Sequence, residues 1–297
     1  MNQLVCLLPA CPESLGTNAV PQIAAVRVRH VARVIDDGDA REAIDDNLLT
    51  HVTWIHSHLP LARAFVTPEI AIADSGFATD TFNIVMRARM SKRRAGVAIP
   101  ATVARMAGYG RPYCWWHGPL DTPADLPARL EGAGLARAGE SLAMVADLDD
   151  LPSVVIPPAL TIRRATTVAE VLDFARVVAA NWSPPDDAVV AFYTAGAPFI
   201  LRPDSPIDLY VGRVDGEPVA AAELCLVDSV AGLYSVCTRE AHRRRGYGTA
   251  LTLHALHDAR EDGAEVGALQ AADQGQRIYA RAGFRTVGVY REYKPGG

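Results

Sequence analysis

Arg243-Arg244-Arg245-Gly246-Tyr247-Gly248-Thr249 is the stretch on which the reading of this chain turns. A β-prone run, Gly232 to Thr238, precedes it. An apolar-periodic segment follows, with Leu251, His254, Ala255 and Ala259 on one face and Gly263 as its stop. A strand that turns through such a loop into a helix gathers several backbone N–H groups into one concavity. The positive end of the helix dipole lies behind them, so the geometry suits a pyrophosphate. The spacing is not the Walker pattern, because no Gly-Lys-Ser/Thr closes it. Nor is it the Gly-x-Gly-x-x-Gly of dinucleotide folds.

A second segment follows about thirty residues on: Leu269-Gln270-Ala271-Ala272-Asp273-Gln274-Gly275-Gln276-Arg277-Ile278-Tyr279-Ala280-Arg281-Ala282-Gly283-Phe284. Taken in order, the two segments resemble the GNAT acetyltransferase superfamily. Its coenzyme A signature is Gln/Arg-x-x-Gly-x-Gly/Ala after a fourth strand, followed by a fifth strand, a helix and Tyr-x-x-x-Gly-Phe. The resemblance covers roughly residues 160–297. It implies an α+β fold, a mixed and mainly antiparallel twisted sheet flanked by helices. The implied activity is N-acyltransfer from acetyl-CoA, or another acyl-CoA, to the amine of a small molecule by direct attack.

The resemblance also distributes roles. Backbone N–H groups of Arg244, Arg245, Gly246, Tyr247, Gly248 and Thr249 would hold the pyrophosphate, with the Arg243 and Arg244 side chains adding charge. The main chain of Val236, Cys237 and Thr238 would bond the pantetheine amides, and one N–H there would face the thioester oxygen. Gly275 would leave room for the coenzyme. Family members often carry Asn where Ala272 stands, so that contact is absent or falls to Asp273. Tyr279 matches the tyrosine that protonates the departing thiolate. The family's strand glutamate is missing near Gly232. That leaves Glu223, Asp228 or a water chain as base, and Glu223 is the residue named with Tyr279 as catalytic. An amine that has lost its proton to solvent needs no base at all. Cys237 as an acylated nucleophile is the less favoured route, since no His/Asp partner accompanies it. An acyl thioester on a carrier protein, which needs a basic docking surface, would suit the same fold. A non-catalytic acyl-CoA sensor is the third reading, opposed by the intact Tyr279 and nest glycines.

The bulk numbers agree with a globular enzyme. The 297 residues are 49% hydrophobic and 21% charged, enough for one large or two ordinary domains. A net charge of −5 gives no electrostatic case for nucleic acid. Five scattered cysteines, Cys6, Cys11, Cys114, Cys225 and Cys237, fit reduced thiols in a cytoplasmic protein. Val5 to Leu8 is too short an apolar run for a signal peptide, and no stretch is long enough to span a bilayer. His51, His56 and His58 lack a carboxylate or cysteine at ligand spacing, so no metal is expected.

Along the chain, three prolines between Pro152 and Pro158 mark a linker at 151–159. It separates an accessory unit, 1–150, from a catalytic one, 160–297. Beyond it a strand at Leu160–Arg163, a Thr167-capped helix to Ala180, and a helix-loop over the site from Asn181 to Pro206 are expected. Asp186, Asp187 and Asp204 in that lid would attract a cationic amine. An Asp215-Gly216 hairpin joins strands Leu209–Val214 and Val219–Val227, and Arg285–Tyr293 closes the sheet. In the first half, a capping box at Asp39 and Glu42 starts a helix to Leu59, with the stripe Ile44, Leu48, Val52, Ile55 and Leu59. Strands are expected at Phe82–Arg87, Tyr113–Trp116 and Leu142–Leu148, and helices at Ile99–Ala107 and Asp125–Ala133. With Gly134-Leu135 near the place of Gly-Phe, this half echoes the second. It shows no Arg-x-x-Gly-x-Gly, so it reads as a degenerate, non-catalytic GNAT-like copy.

Overall fold

The computed structural model describes residues 36–296, so Cys6, Cys11 and the Val5–Leu8 run lie outside the described residues. One eleven-stranded mixed sheet runs through the molecule, in the order β1-β2-β3-β4-β11-β5-β10-β9-β8-β7-β6. Its first half comprises α1 (Asp37–Trp54), β1 (Arg63–Val66), β2 (Ala71–Asp74), β3 (Ile84–Met86), α2 (Lys92–Gly108), β4 (Cys114–His117), α3 (Leu126–Gly132) and β5 (Leu135–Asp147). The second comprises β6 (Thr161–Arg164), α4 (Val168–Ala179), α5 (Asp187–Ile200), β7 (Ile207–Val214), β8 (Glu217–Val227), β9 (Val230–Thr238), α6 (Tyr247–Glu261), β10 (Val266–Ala271), α7 (Gln276–Arg281) and β11 (Arg285–Pro295).

The halves repeat one plan. In each, three antiparallel strands lead through a helix to a fourth strand parallel to the third: β1-β2-β3-α2-β4 and β7-β8-β9-α6-β10. A short helix and a closing strand follow each. The closing strands are exchanged. β11 pairs with β4 of the first half, whereas β5 pairs with β10 of the second. β5 and β11 pair with each other in an antiparallel seam from Arg285↔Val145 to Pro295↔Leu135.

One face of the sheet is covered by α1, α4 and α5, in a single core that takes Ile44 and Leu48 from the first half and Val171, Phe174 and Phe192 from the second. The other face carries α6 over the second half and α2 with α3 over the first. Phe82 of the first half stacks on Phe192 of α5, with centroids 3.8 Å apart.

Local chemistry sets the element ends. Thr167 and Glu170 form the capping box of α4. Asp215 and Gly216, both at positive φ, make the β7–β8 turn. α1 is capped by Asp36, three residues before the expected Asp39, because the Asp36 carboxylate accepts the Gly38 and Asp39 N–H groups. The helix gives way to a 3-10 turn at His56–His58 before Leu59. α2 starts at Lys92 rather than Ile99, with Ser91 accepting the Arg94 N–H. β5 begins at Leu135, seven residues before the expected Leu142, because β11 pairs with it from Leu135 to Val145. β1 and β2 had no counterpart in the sequence reading. No helix among the described residues is long and apolar enough to cross a membrane.

Candidate active site

β9 and β10 pair only from Val230↔Val266 to Leu233↔Leu269 and then part. β9 diverges at Ser235, which stands at φ 50 and creates a register shift against β8. Val236, Cys237 and Thr238 therefore line one side of a gap, half-buried, with no β10 partner. The chain beyond β9 turns through Arg244 (φ 64) and Gly246 (φ 82) into α6. Gly246 is the N-cap and no side chain caps the helix, so its first N–H groups point outward unpaired. A Cβ at Gly246 would meet only Pro157 of the linker, at 3.7 Å. The bare helix start thus stands at one end of the strand gap, a geometry suited to an anion.

The arginines divide by role. Arg243 Nε donates to the Thr238 carbonyl at 3.1 Å and Nη2 to Asn181 Oδ1 at 3.4 Å, tying the motif loop to the end of α4. Arg245 folds back on the Ala241 carbonyl. Exposed Arg244 has no side-chain partner among the described residues, which leaves it free for a phosphate. Tyr247, the first residue of α6, has its side chain buried in the core beneath the helix.

Across the gap, burial pushes the Tyr279 phenol up to about 12, and the nearby Cys237 adds to the rise. Tyr279 thus keeps its proton at neutral pH. A Cβ on Gly275 would lie 2.7 Å from the Tyr279 ring, so this glycine makes room for the tyrosine rather than for an open slot. Asp273 accepts from Gln276 Nε2 at 3.1 Å. Burial pushes the Cys237 thiol up to about 11 despite Asn181 and Arg243 beside it, so it is a poor nucleophile.

Glu223 projects from β8 on the α1/α4/α5 side and is 1% exposed. One carboxylate oxygen accepts from the Tyr193 hydroxyl at 2.6 Å and from Ser235 Oγ at 3.0 Å. The other lies 3.3 Å from His51 Nε2 on α1. Burial works to raise this carboxyl, but the facing His51 and the hydroxyl donors outweigh it and hold it below the usual range. The other base candidate, Asp228, sits in the β8–β9 turn at φ 51, at the opposite end of β9 from the gap. Asp186 caps α5 and accepts from Thr79, and Asp204 is paired with Arg202; neither faces the gap as an open charge.

The sequence alone does not link His51, Tyr193 and Ser235 to Glu223. A signal existed for His51: it lies on the apolar face of α1, seven residues after Ile44 and four before Ile55. A polar group on such a face needs a partner. Asn47, on the same side, packs against the bare Cα of Gly232, where a Cβ would fall 1.8 Å from its Oδ1. The three histidines diverge: His56 Nε2 donates to the Phe82 carbonyl at 2.7 Å, and His58 turns to Trp54. Among the described residues no group of three or more metal-ligating side chains converges.

The first half has the same gap, but it is filled. β3 and β4 pair at Ile84↔Cys114 and Val85↔Trp115, and Thr122 then lies beside Arg89 like an inserted strand. The Thr122 N–H donates to the Ala88 carbonyl at 2.7 Å, and the Met90 N–H to Thr122. Arg93-Arg94-Ala95-Gly96-Val97-Ala98 does satisfy the Arg-x-x-Gly-x-Ala letters, yet these residues lie inside α2 with Gly96 helical. The letters occur without a left-handed cap, so no cradle forms.

Residues 169–284 match the Acetyltransferase (GNAT) family. Among solved structures, a GCN5-related N-acetyltransferase from Kribbella flavida aligns with a TM-score of 0.66 at 21% identity, over 87% of this chain and 96% of that one. A tandem GNAT protein from the clavulanic acid biosynthesis pathway aligns at 0.56 and 12%, over 88% and 95%. A GCN5-related N-acetyltransferase from Sphaerobacter thermophilus aligns at 0.51 and 15%, over 89% and 94%. At these identities the likeness is one of fold, and it extends over both halves: the N-terminal half is a second GNAT-like unit. No curated protein matches the chain.

Proposed function

We propose that this chain is an acyl-CoA-dependent N-acyltransferase acting on a small amine, with one coenzyme site, in the C-terminal half. The observation that carries the reading is the β9/β10 gap ending on the Gly246-capped start of α6. Coenzyme A is long and thin: a thiol-ended arm with two amides leads to a pyrophosphate, beyond which lies the adenosine. Main chain at 236–238, paired to β8 on one side and without a β10 partner on the other, matches the amides, and the bare helix start matches the pyrophosphate. The cradle fits, since Gly246 and Gly248 add no side chain of their own, and only Pro157 and Thr238 come within 4 Å of where one would stand.

When bound, the coenzyme supplies an activated acyl carbon as a thioester. Arg244 and the 244–249 N–H groups bind its phosphates. An N–H of the 236–238 run would polarise the acyl oxygen. Tyr279, kept protonated by burial, gives its phenolic proton to the departing sulfur. Glu223 belongs to the basic side of the site with its partners. α1 and α5 wall that side, so the acceptor meets both halves of the chain.

The test is calorimetric titration with acetyl-CoA, beside thiol release in the presence of a panel of primary amines. Micromolar binding with one equivalent per chain supports the reading. No binding to the folded protein ends it.

A further inference from the structure

We propose that His51, carried into the C-terminal half by α1, is the catalytic base of the acyl transfer, positioned by Glu223 and reaching the attacking amine through one water. This rests on the acyl-transfer reading above.

The carboxylate nearest the gap is badly placed to take a proton itself. Glu223 is 1% exposed, and its oxygens already face Tyr193, Ser235 and His51. Three donors around one carboxylate stabilise its charged form and leave little capacity for a fourth partner. A carboxylate in that state orients its neighbour.

That neighbour is built as a base. The His51 ring lies flat on Tyr234, centroids 3.7 Å apart and planes 8° apart. Its Nε2 is turned to Glu223, which fixes the tautomer with the proton on Nε2 and a lone pair on Nδ1. Nδ1 is buried and has no hydrogen-bond partner. A buried unpaired acceptor is costly unless a water or ligand meets it. His51 and Glu223 also line a cavity of about 20 Å³ with Phe82, Phe192 and Tyr193, large enough for one water. The histidine side chain as a whole is 20% exposed, so the site is open to exchange.

Placement follows from the strand. Tyr234, under the ring, directly precedes Ser235, where β9 turns away from β10. The pair therefore stands at the inner end of the gap. Asn47, one helical turn before His51, locks α1 in register by donating to the Cys225 and Val230 carbonyls. The titratable groups around the imidazole are Glu223 on β8, Tyr234 on β9, Tyr193 on α5 and His56 beyond α1.

The step balances. The amine nitrogen bonds the acyl carbon as its N–H breaks, and that proton passes through the water to His51 Nδ1. The C–S bond breaks, and the sulfur takes the Tyr279 proton. His51 then loses its proton to solvent and Tyr279 regains one.

The experiment compares the full chain with His51→Gln and His51→Ala. The readouts are thiol release from acetyl-CoA and calorimetric acetyl-CoA affinity. Acceptors are an aminosugar, an amino acid, a polyamine and an arylalkylamine, with water as the acceptor if none reacts. The expected result is a kcat lower by about a hundredfold or more in both variants, with coenzyme affinity within about twofold of the parent. Added imidazole should restore part of the His51→Ala rate. A His51→Gln protein that binds acetyl-CoA and turns over like the parent overturns the proposal. So does a loss that imidazole leaves untouched and that falls with urea stability, which would make His51 part of the seam between halves. A parent that binds no acetyl-CoA sinks the acyl-transfer reading itself, a distinct failure.

Discussion

Replacing Asn47 and Gly232, singly and together, measures how firmly α1 is keyed into the second half. Asn47 is 1% exposed; its Nδ2 donates to the Cys225 and Val230 carbonyls, both at 2.9 Å, and its Oδ1 accepts from the Tyr234 hydroxyl at 2.7 Å. At roughly 0.5–1.5 kcal/mol net per bond, Asn47→Ala should cost about 2–4 kcal/mol, with stranded buried partners pushing toward the upper figure. Gly232→Ala alone sets a Cβ 1.8 Å from Asn47 Oδ1 and 2.7 Å from Tyr234 Cε2. Three bonds hold Asn47 in place, so this overpacking should cost about 3 kcal/mol or more. With both changes the amide clash is gone, and Tyr234, released from Asn47, can move. The double variant should then be more stable than the summed single effects by about 1–3 kcal/mol. Urea unfolding followed by circular dichroism and tryptophan fluorescence on all four proteins supplies the cycle. Additivity within about 0.5 kcal/mol would refute the claim that Asn47 occupies the face of Gly232.

Gly246→Val puts a β-branched residue at φ 82, at about 1–2 kcal/mol of backbone strain, and crowds the phosphate approach; acetyl-CoA affinity by calorimetry should fall at least about tenfold, and parent-like affinity would refute the cradle. Tyr279→Phe should slow thiol release about a hundredfold while leaving coenzyme affinity near the parent value. A raised acid stays protonated until pH nears its pKa of about 12, so the parent should show no decline from Tyr279 ionisation through about pH 9, checked by the pH–rate profile. Cys237→Ala should retain turnover, because a thiol pushed up to about 11 is scarcely ionised at neutral pH; loss of acyl transfer with the fold intact would reinstate an acyl-cysteine route.

The second half was legible because its signals are local. Thr167 with Glu170, Asp215-Gly216 and Gly246 each state their geometry within a few residues. What escaped depends on contacts between distant parts. The four-residue β1 and β2 are too short to show a period. The first seven residues of β5 owe their extension to β11, not to alternation of their own, so the sequence does not mark them as strand. In the sequence Gly232 reads only as a position lacking a carboxylate; its bare Cα admits Asn47 from a helix some 185 residues earlier (232 − 47). The Glu223 cluster likewise draws on α1, α5, β8 and β9 at once, and no sequence window holds all four. Even the nest letters mislead in isolation, as Arg93 to Ala98 shows inside α2.

The exchange of closing strands has a consequence for how the molecule is made. Synthesis delivers β4 at residues 114–117, but its missing neighbour, β11, comes only at residues 285–295. Until then the nascent chain carries an open strand edge, and β5 must wait for β10. The first half therefore cannot be completed before the second has formed, unlike ordinary tandem units that fold in the order they emerge. Slow, late closure across so long a separation exposes the growing chain to edge-to-edge pairing with other copies. A chain cut short before residue 285 would leave β4 without its neighbour and β5 paired on one side only. Partial products would be handled by the cell as misfolded protein rather than as half-enzymes.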